Sequence, residues 1–175
     1  MLQHLKTLTL ILIVLLAFSA CNNDEPTVIA VGPNWKAVHE LKSSDKSFTV
    51  NVNGKKQIRI DDALELTINS AKKGRLWVVR VDPNDQVDVL FPNEYSRDNT
   101  IKAYQPISVP PKGANYSIAA TDPVGHSTLA CIVTTGDTDL GDVFSSQGFS
   151  SKALTIIKNS PEWGIGKLIV EVTAK

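Results

Sequence analysis

Gly74-Arg75-Leu76-Trp77-Val78-Val79-Arg80-Val81-Asp82-Pro83-Asn84-Asp85-Gln86-Val87-Asp88-Val89-Leu90-Phe91 decides the fold of this chain. Leu76, Val78 and Val79 sit around Trp77 in a β-branched and aromatic run, the signature of a strand. Asp82–Gln86 is rich in residues that favour turns, and Val87, Val89 and Phe91 resume an apolar alternation of period two. Two strands joined by a hairpin connection follow from that pattern.

The same period continues outward. Upstream, Phe48, Val50 and Val52 alternate with Thr49 and Asn51, and Asn53-Gly54 marks a tight turn. Ile58 and Ile60, then Leu64, Leu66 and Ile68, give two more half-buried strands before Lys72-Lys73-Gly74 turns the chain. Downstream, Ile101–Tyr104, Ile107–Val109, Tyr116–Ala120 and Ser127–Thr134 are separated by Pro110-Pro111, Lys112-Gly113 and Pro123-Val124-Gly125. Thr138–Gly148 is small and polar, a loop with room for one helical turn. Ser150 or Ser151 can cap a short helix whose buried side carries Ala153, Leu154 and Ile157, and Asn159-Ser160-Pro161 stops it. Leu168, Val170 and Val172 return as a last strand. The expected class is mainly all-β: an antiparallel β-sandwich of about seven to nine strands over residues 47–175, with one short C-terminal helix.

The first twenty residues are of another kind. Leu8–Phe18 is an apolar run too short to span a bilayer but fit for a secretory h-region, and small Ser19 and Ala20 precede Cys21. Phe18-Ser19-Ala20-Cys21 resembles the bacterial lipoprotein signal, in which the cysteine takes a diacylglycerol and becomes the first residue of the mature chain; an ordinary cleaved export signal is the alternative. Residues 1–20 are thus expected to be a signal peptide, Cys21 the lipidation site, and 21–46 a tether. Within that tether Val28–Val31 reads as a short strand, and Asn34 as the cap of a helical turn placing Trp35, Val38 and Leu41 on one side. Fully extended, the tether would reach about 80 Å. Lys6 leaves with the signal, so 17 basic residues face 18 acidic ones, a net charge of −1. Such a balance gives no attraction to nucleic acid.

Between residues 55 and 140 an ordered series of motifs becomes specific: the hairpin itself, then Val89-Leu90-Phe91-Pro92-Asn93, Asn99-Thr100-Ile101-Lys102-Ala103, Val109-Pro110 and Asp122-Pro123-Val124-Gly125. This series resembles the bacterial family called domain of unknown function 4384. Two departures are small: Arg75 stands where an aromatic is common, and Asp85-Gln86 replaces Asp-Gly at the hairpin. The resemblance implies a small β-sandwich found in exported or multidomain bacterial proteins, and no established activity.

Chemistry is sparse. With Cys21 acylated, Cys131 is the only thiol left and reads as buried and inert. Asp82, Asn84, Asp85 and Asp88 crowd oxygen ligands into seven residues, but lack the glycine and bidentate glutamate of a calcium loop, so a solvated hairpin tip is expected and no metal. His4 lies in the signal and His39 in the tether, which leaves His126 too isolated for a zinc site. His126 near Asp122 and Ser127 is the only arrangement on which catalysis could rest, and turn chemistry is the simpler reading. Gly164-Ile165-Gly166-Lys167 lacks the third glycine of a nucleotide loop and reads as a turn. No catalytic residue or cofactor is expected. Binding is assigned to the Leu90–Tyr104 connection: Asn93, Tyr95, Asp98, Asn99 and Tyr104 offer rings beside hydrogen-bonding groups. The expected function is that of a non-enzymatic, lipid-anchored accessory or interaction module of a bacterial envelope assembly, with an envelope protein as partner. The alternative is a carbohydrate- or peptidoglycan-binding module with a cell-wall glycan as ligand. Asn22 after the cysteine favours the outer membrane, facing the periplasm or the surface.

Overall fold

The computed structural model describes residues 32–42 and 47–175. The expected signal peptide, Cys21 and the expected Val28–Val31 strand lie outside those residues. The elements are α1 (Pro33–Glu40), β1 (Val50–Gly54), β2 (Gln57–Arg59), β3 (Leu66–Ser70), β4 (Gly74–Val81), β5 (Val87–Phe91), β6 (Thr100–Ile101), β7 (Ile107–Val109), β8 (Gly125–Thr134), α2 (Gly141–Gln147), α3 (Ser151–Asn159) and β9 (Trp163–Thr173).

Two sheets form the sandwich. The large one runs β2-β9-β8-β4-β5, with β6 also on β4, and the small one runs β1-β3-β7. Side chains alternate across each strand, so the long central strands serve two interiors at once. On β4, Leu76 and Val78 enter the core between the sheets, while Trp77, Val79 and Val81 enter a second core on the opposite face. On β8, Leu129, Cys131 and Val133 divide from Ala130 and Ile132 in the same manner. That second core is roofed by α1, α2 and α3 through Trp35, Phe144, Ala153 and Ile157. The molecule is therefore a sandwich with a helical third layer. Burial on both faces explains the near-continuous apolar composition of Leu76–Val79 and Leu129–Val133, which strands with one wet face do not show.

Several local readings change. The Trp35 helix exists and docks, with Trp35, Val38 and Leu41 buried, so the packed unit extends N-terminally past residue 47 into the expected tether. Its N-cap is Gly32, not Asn34. Asn53-Gly54 is not a tight turn: both residues pair with β3 inside β1, and the chain then crosses to the other sheet. There β2 runs parallel to β9, the one parallel pair among the named strands of the described residues, because the strand arrives from the other layer rather than through a hairpin. Thr138–Gly148 holds the full helix α2, so two helices lie between β8 and β9. Tyr116–Ala120 forms no strand; only Ala119 bridges, to Ala63.

Gly164 and Gly166 lie inside β9, not in a turn. A Cβ at Gly164 would stand 2.6 Å from the carbonyl oxygen of Phe48, and one at Gly166 would stand 2.6 Å from that of Val50. The glycines let the chain leading through β1 cross directly over β9. Gly125 has φ +123°, the positive value a side chain would resist.

Candidate functional site

The five residues assigned to binding divide sharply. Asn93 is committed to its own turn: Oδ1 accepts the N–H groups of Tyr95 and Ser96 at 3.1 and 2.9 Å, and Nδ2 donates to the Leu90 carbonyl at 3.0 Å. Asn99 is buried and its Nδ2 donates to the Leu76 carbonyl at 3.1 Å, tying the loop to β4. Asp98 accepts the Thr100 N–H at 2.9 Å, and that bond holds its carboxyl below the usual carboxylate range. All three oxygen-bearing groups therefore shape the loop.

The two tyrosines are the exposed members, Tyr95 at 66% and Tyr104 at 75%. They do not meet. Tyr104 takes φ +57° with its N–H on the Ser70 carbonyl, and among the described residues no ring contact reaches it. Tyr95 instead stacks on Tyr116, with centroids 5.4 Å apart and planes inclined by 26°. A hydrogen bond with Glu94, reinforced by that carboxylate's charge, raises the Tyr95 phenol above its ordinary value. Tyr116 in turn lines a groove of about 710 Å³ with Glu65, Thr67, Pro110, Pro111 and Lys112. Its buried hydroxyl has no hydrogen-bond partner. Trp77, Phe91 and Trp163 are core, as are Trp35, Phe144 and Phe149. What the site offers chemically is one exposed ring, Tyr95, backed by half-buried Tyr116 beside a groove carrying both charge signs, suited to stacking and hydrogen bonding.

At the hairpin tip the carboxylates are occupied by the fold. Asp82 Oδ1 accepts the N–H groups of Asn84 and Gln86, each at 2.8 Å. Asp88 pairs with Arg80 at 2.6 Å. Asp85 is not solvated as expected of a bare tip: Oδ1 and Oδ2 accept the N–H groups of Trp35 and Asn34, capping α1 from outside. Among the described residues no group of three or more histidine, cysteine, aspartate or glutamate side chains is placed to hold a metal ion. Nor is any helix there long and apolar enough to cross a membrane.

His126 and Asp122 are not joined. Asp122 is exposed, His126 stands opposite Glu171 on the neighbouring strand, and no hydrogen bond or ion pair links it to Asp122. Ser127 faces the other way into the interior, 3% exposed. Cys131 is buried, and desolvation pushes its thiol far up. His39, assigned to the tether, instead lies against the sheet: Nε2 is 3.1 Å from Thr128 Oγ1 and the ring stacks on Trp35 at 4.8 Å. Partial burial first, then the Lys167 charge, lower its pKa below 6.5.

Residues 57–137 match the family described as Domain of unknown function (DUF4384), so the resemblance carried by the hairpin and the motifs after it holds for that segment. No curated protein matches the chain. The matched segment runs from β2 through β8 and stops short of β9, although β9 is the strand lying between those two. The large sheet is thus completed by chain outside the family segment.

Proposed function

We propose that this chain is a non-enzymatic, lipid-anchored envelope protein, acting as an interaction or accessory module of a larger bacterial assembly. One observation supports it most: exposed Tyr95, stacked on half-buried Tyr116 beside a groove, in a connection whose Asn93, Asp98 and Asn99 are committed to holding its own fold. Acylated Cys21 would hold the protein at the outer membrane, facing the periplasm or the surface. Since packing begins by Gly32, about eleven residues separate the anchor from the domain, a reach of at most about 40 Å when extended. The partner surface must then lie close to the membrane.

Two measurements test this reading. Cys21→Ser should leave an uncleaved, unacylated precursor whose domain still folds; mature protein of unchanged size and solubility would remove the anchor. A photo-crosslinking amino acid at position 95 should give one discrete protein adduct in cells, lost in Tyr116→Ala. Its absence, or an adduct indifferent to Tyr116, would remove the partner surface.

The exposure of Tyr95 and Tyr104 supports a second reading, a carbohydrate- or peptidoglycan-binding module, since rings displayed on a surface can stack on sugars. Here the domain should sediment with isolated cell wall, and Tyr95→Ala should abolish that sedimentation. A domain that stays in the supernatant rules it out.

A further inference from the structure

The two sheets differ in width, and the mismatch leaves a cavity of about 230 Å³ on the inner face of the large sheet, beyond the edge of the small one. Ile58, Leu129 and Val170 rise into it from the large sheet. The small sheet does not cover this end, because β3 begins only at Leu66. Instead two strands of irregular chain close it, carrying Leu64 and Ile118 and joined by the Ala63–Ala119 bridge.

The cavity is not uniformly apolar. Ser127 lies in its wall on the same face of β8 as Leu129, and its buried hydroxyl has no hydrogen-bond partner. Buried polar groups are nearly always satisfied, so an orphan in a cavity wall points to something that completes it. Ser127, Arg80 and Thr121 are the polar side chains of a wall that is otherwise aliphatic, so water filling this space would find partners at few of its surfaces. Arg80 also lines the cavity. Three of its five N–H groups are engaged, two by Asp88 and one by Thr121. Its charge is therefore neutralised by Asp88, and the two remaining N–H groups suit an uncharged acceptor better than an anion.

We propose that this cavity is a binding site for a medium-length acyl group ending in an uncharged ester or amide carbonyl, the chain lying among Ile58, Leu129 and Val170 and the carbonyl accepting from Ser127 and Arg80. Size fixes the length. An apolar cavity of about 150 Å³ accepts benzene, six carbons, so 230 Å³ accommodates about nine. This site is separate from the tyrosine groove and stands without the partner proposed there.

The test keeps the full chain in the unfractionated lysate of a bacterial host, with methyl nonanoate bearing a mid-chain diazirine as photoprobe. Irradiation should label residues 58–64 and 118–129, mapped by mass spectrometry. Methyl octanoate should compete at least about tenfold better than methyl butanoate or methyl hexadecanoate. Ala120→Leu, which fills the cavity, should lower labelling at least about tenfold while the domain keeps its protease resistance. If that variant loses resistance, Ser127→Val carries the same expectation. Labelling elsewhere on the domain, competition that keeps rising to the hexadecanoate, or full labelling of a folded variant overturns the proposal.

Discussion

Replacing Asp85 should loosen α1 while leaving the sheets intact. Its residue, at the tip of the β4–β5 hairpin, has φ +62°, a conformation that aspartate and asparagine tolerate better than most. From there Oδ1 accepts the Trp35 N–H at 2.8 Å and Oδ2 the Asn34 N–H at 2.9 Å. The helix has no cap of its own, since Gly32 occupies the N-cap position and a Cβ there would overlap the Asp85 carboxylate. Pro33 has no N–H, so of the three orphan N–H groups at the helix start two are satisfied from a distant hairpin. Losing a cap costs about 0.5–2 kcal/mol. Losing a negative charge at a helix N-terminus costs about 0.3–1 kcal/mol more. Asp85→Ala should therefore weaken the docked state by about 1–3 kcal/mol, or roughly 5- to 150-fold in the opening equilibrium. Asp85→Asn keeps the backbone preference and one acceptor oxygen, so its loss should be smaller. The assay is native-state hydrogen exchange. Amides of residues 36–41 should exchange faster in that order of variants, while those of β8 and β9 keep their protection. Exchange at 36–41 unchanged within about twofold in Asp85→Ala would refute the reasoning, as would equal acceleration throughout the large sheet.

Why the sequence reveals so much of the sheets and so little of their partners is visible in the same residues. The apolar runs Leu76–Val79 and Leu129–Val133 announce strands because burial on both faces demands it locally, strand by strand. Period two says nothing about which strand lies alongside, so Asn53-Gly54 looks like a turn although it still pairs with Thr67 and Leu66 as the last two residues of β1. Gly164 and Gly166 look like a turn for the same reason: what needs them is the crossing backbone of Phe48 and Val50, more than a hundred residues away in sequence. Of the site, the exposure of Tyr95 and Tyr104 was legible in a polar, aromatic connection. The stacking of Tyr95 on Tyr116 was not, because Tyr116 falls in an alternating segment that reads as a strand. Asn99 reads as a binding group in a polar connection, and its actual partner, the Leu76 carbonyl, depends on β6 pairing with β4. Ser127 carries no signal at all in sequence. A small polar residue ahead of an apolar run marks a strand end, and only the unequal width of the two sheets turns it into a cavity wall.

Cys131, buried and with its thiol pushed far up, should resist thiol reagents in the folded domain and react only through global unfolding, so its labelling rate should follow urea concentration with the slope of the full transition. Gly166→Ala places a Cβ 2.6 Å from the Val50 carbonyl oxygen and 2.6 Å from Val52 Cγ2, an overpacking that should cost about 1–3 kcal/mol in urea titrations. An unchanged midpoint would show that β1 yields without penalty. His39 makes the N-terminal docking sensitive to acid. Its folded pKa lies below 6.5, through partial burial first and the Lys167 charge second, so below that value the unfolded chain binds a proton that the folded one resists. Stability from this group is then fully present above about pH 6.5 and falls as the pH drops through the lowered folded value. The urea midpoint should decline on acidification through that window, and the decline should be shallower in His39→Gln, which cannot titrate. It should also be shallower in Lys167→Met, which removes the second cause, although this variant also gives up the Nζ bonds to the carbonyls of His39 and Leu41. A midpoint that rises on acidification in the wild type, or a slope identical in His39→Gln, would mean that the imidazole charges in the folded protein as easily as in the unfolded chain.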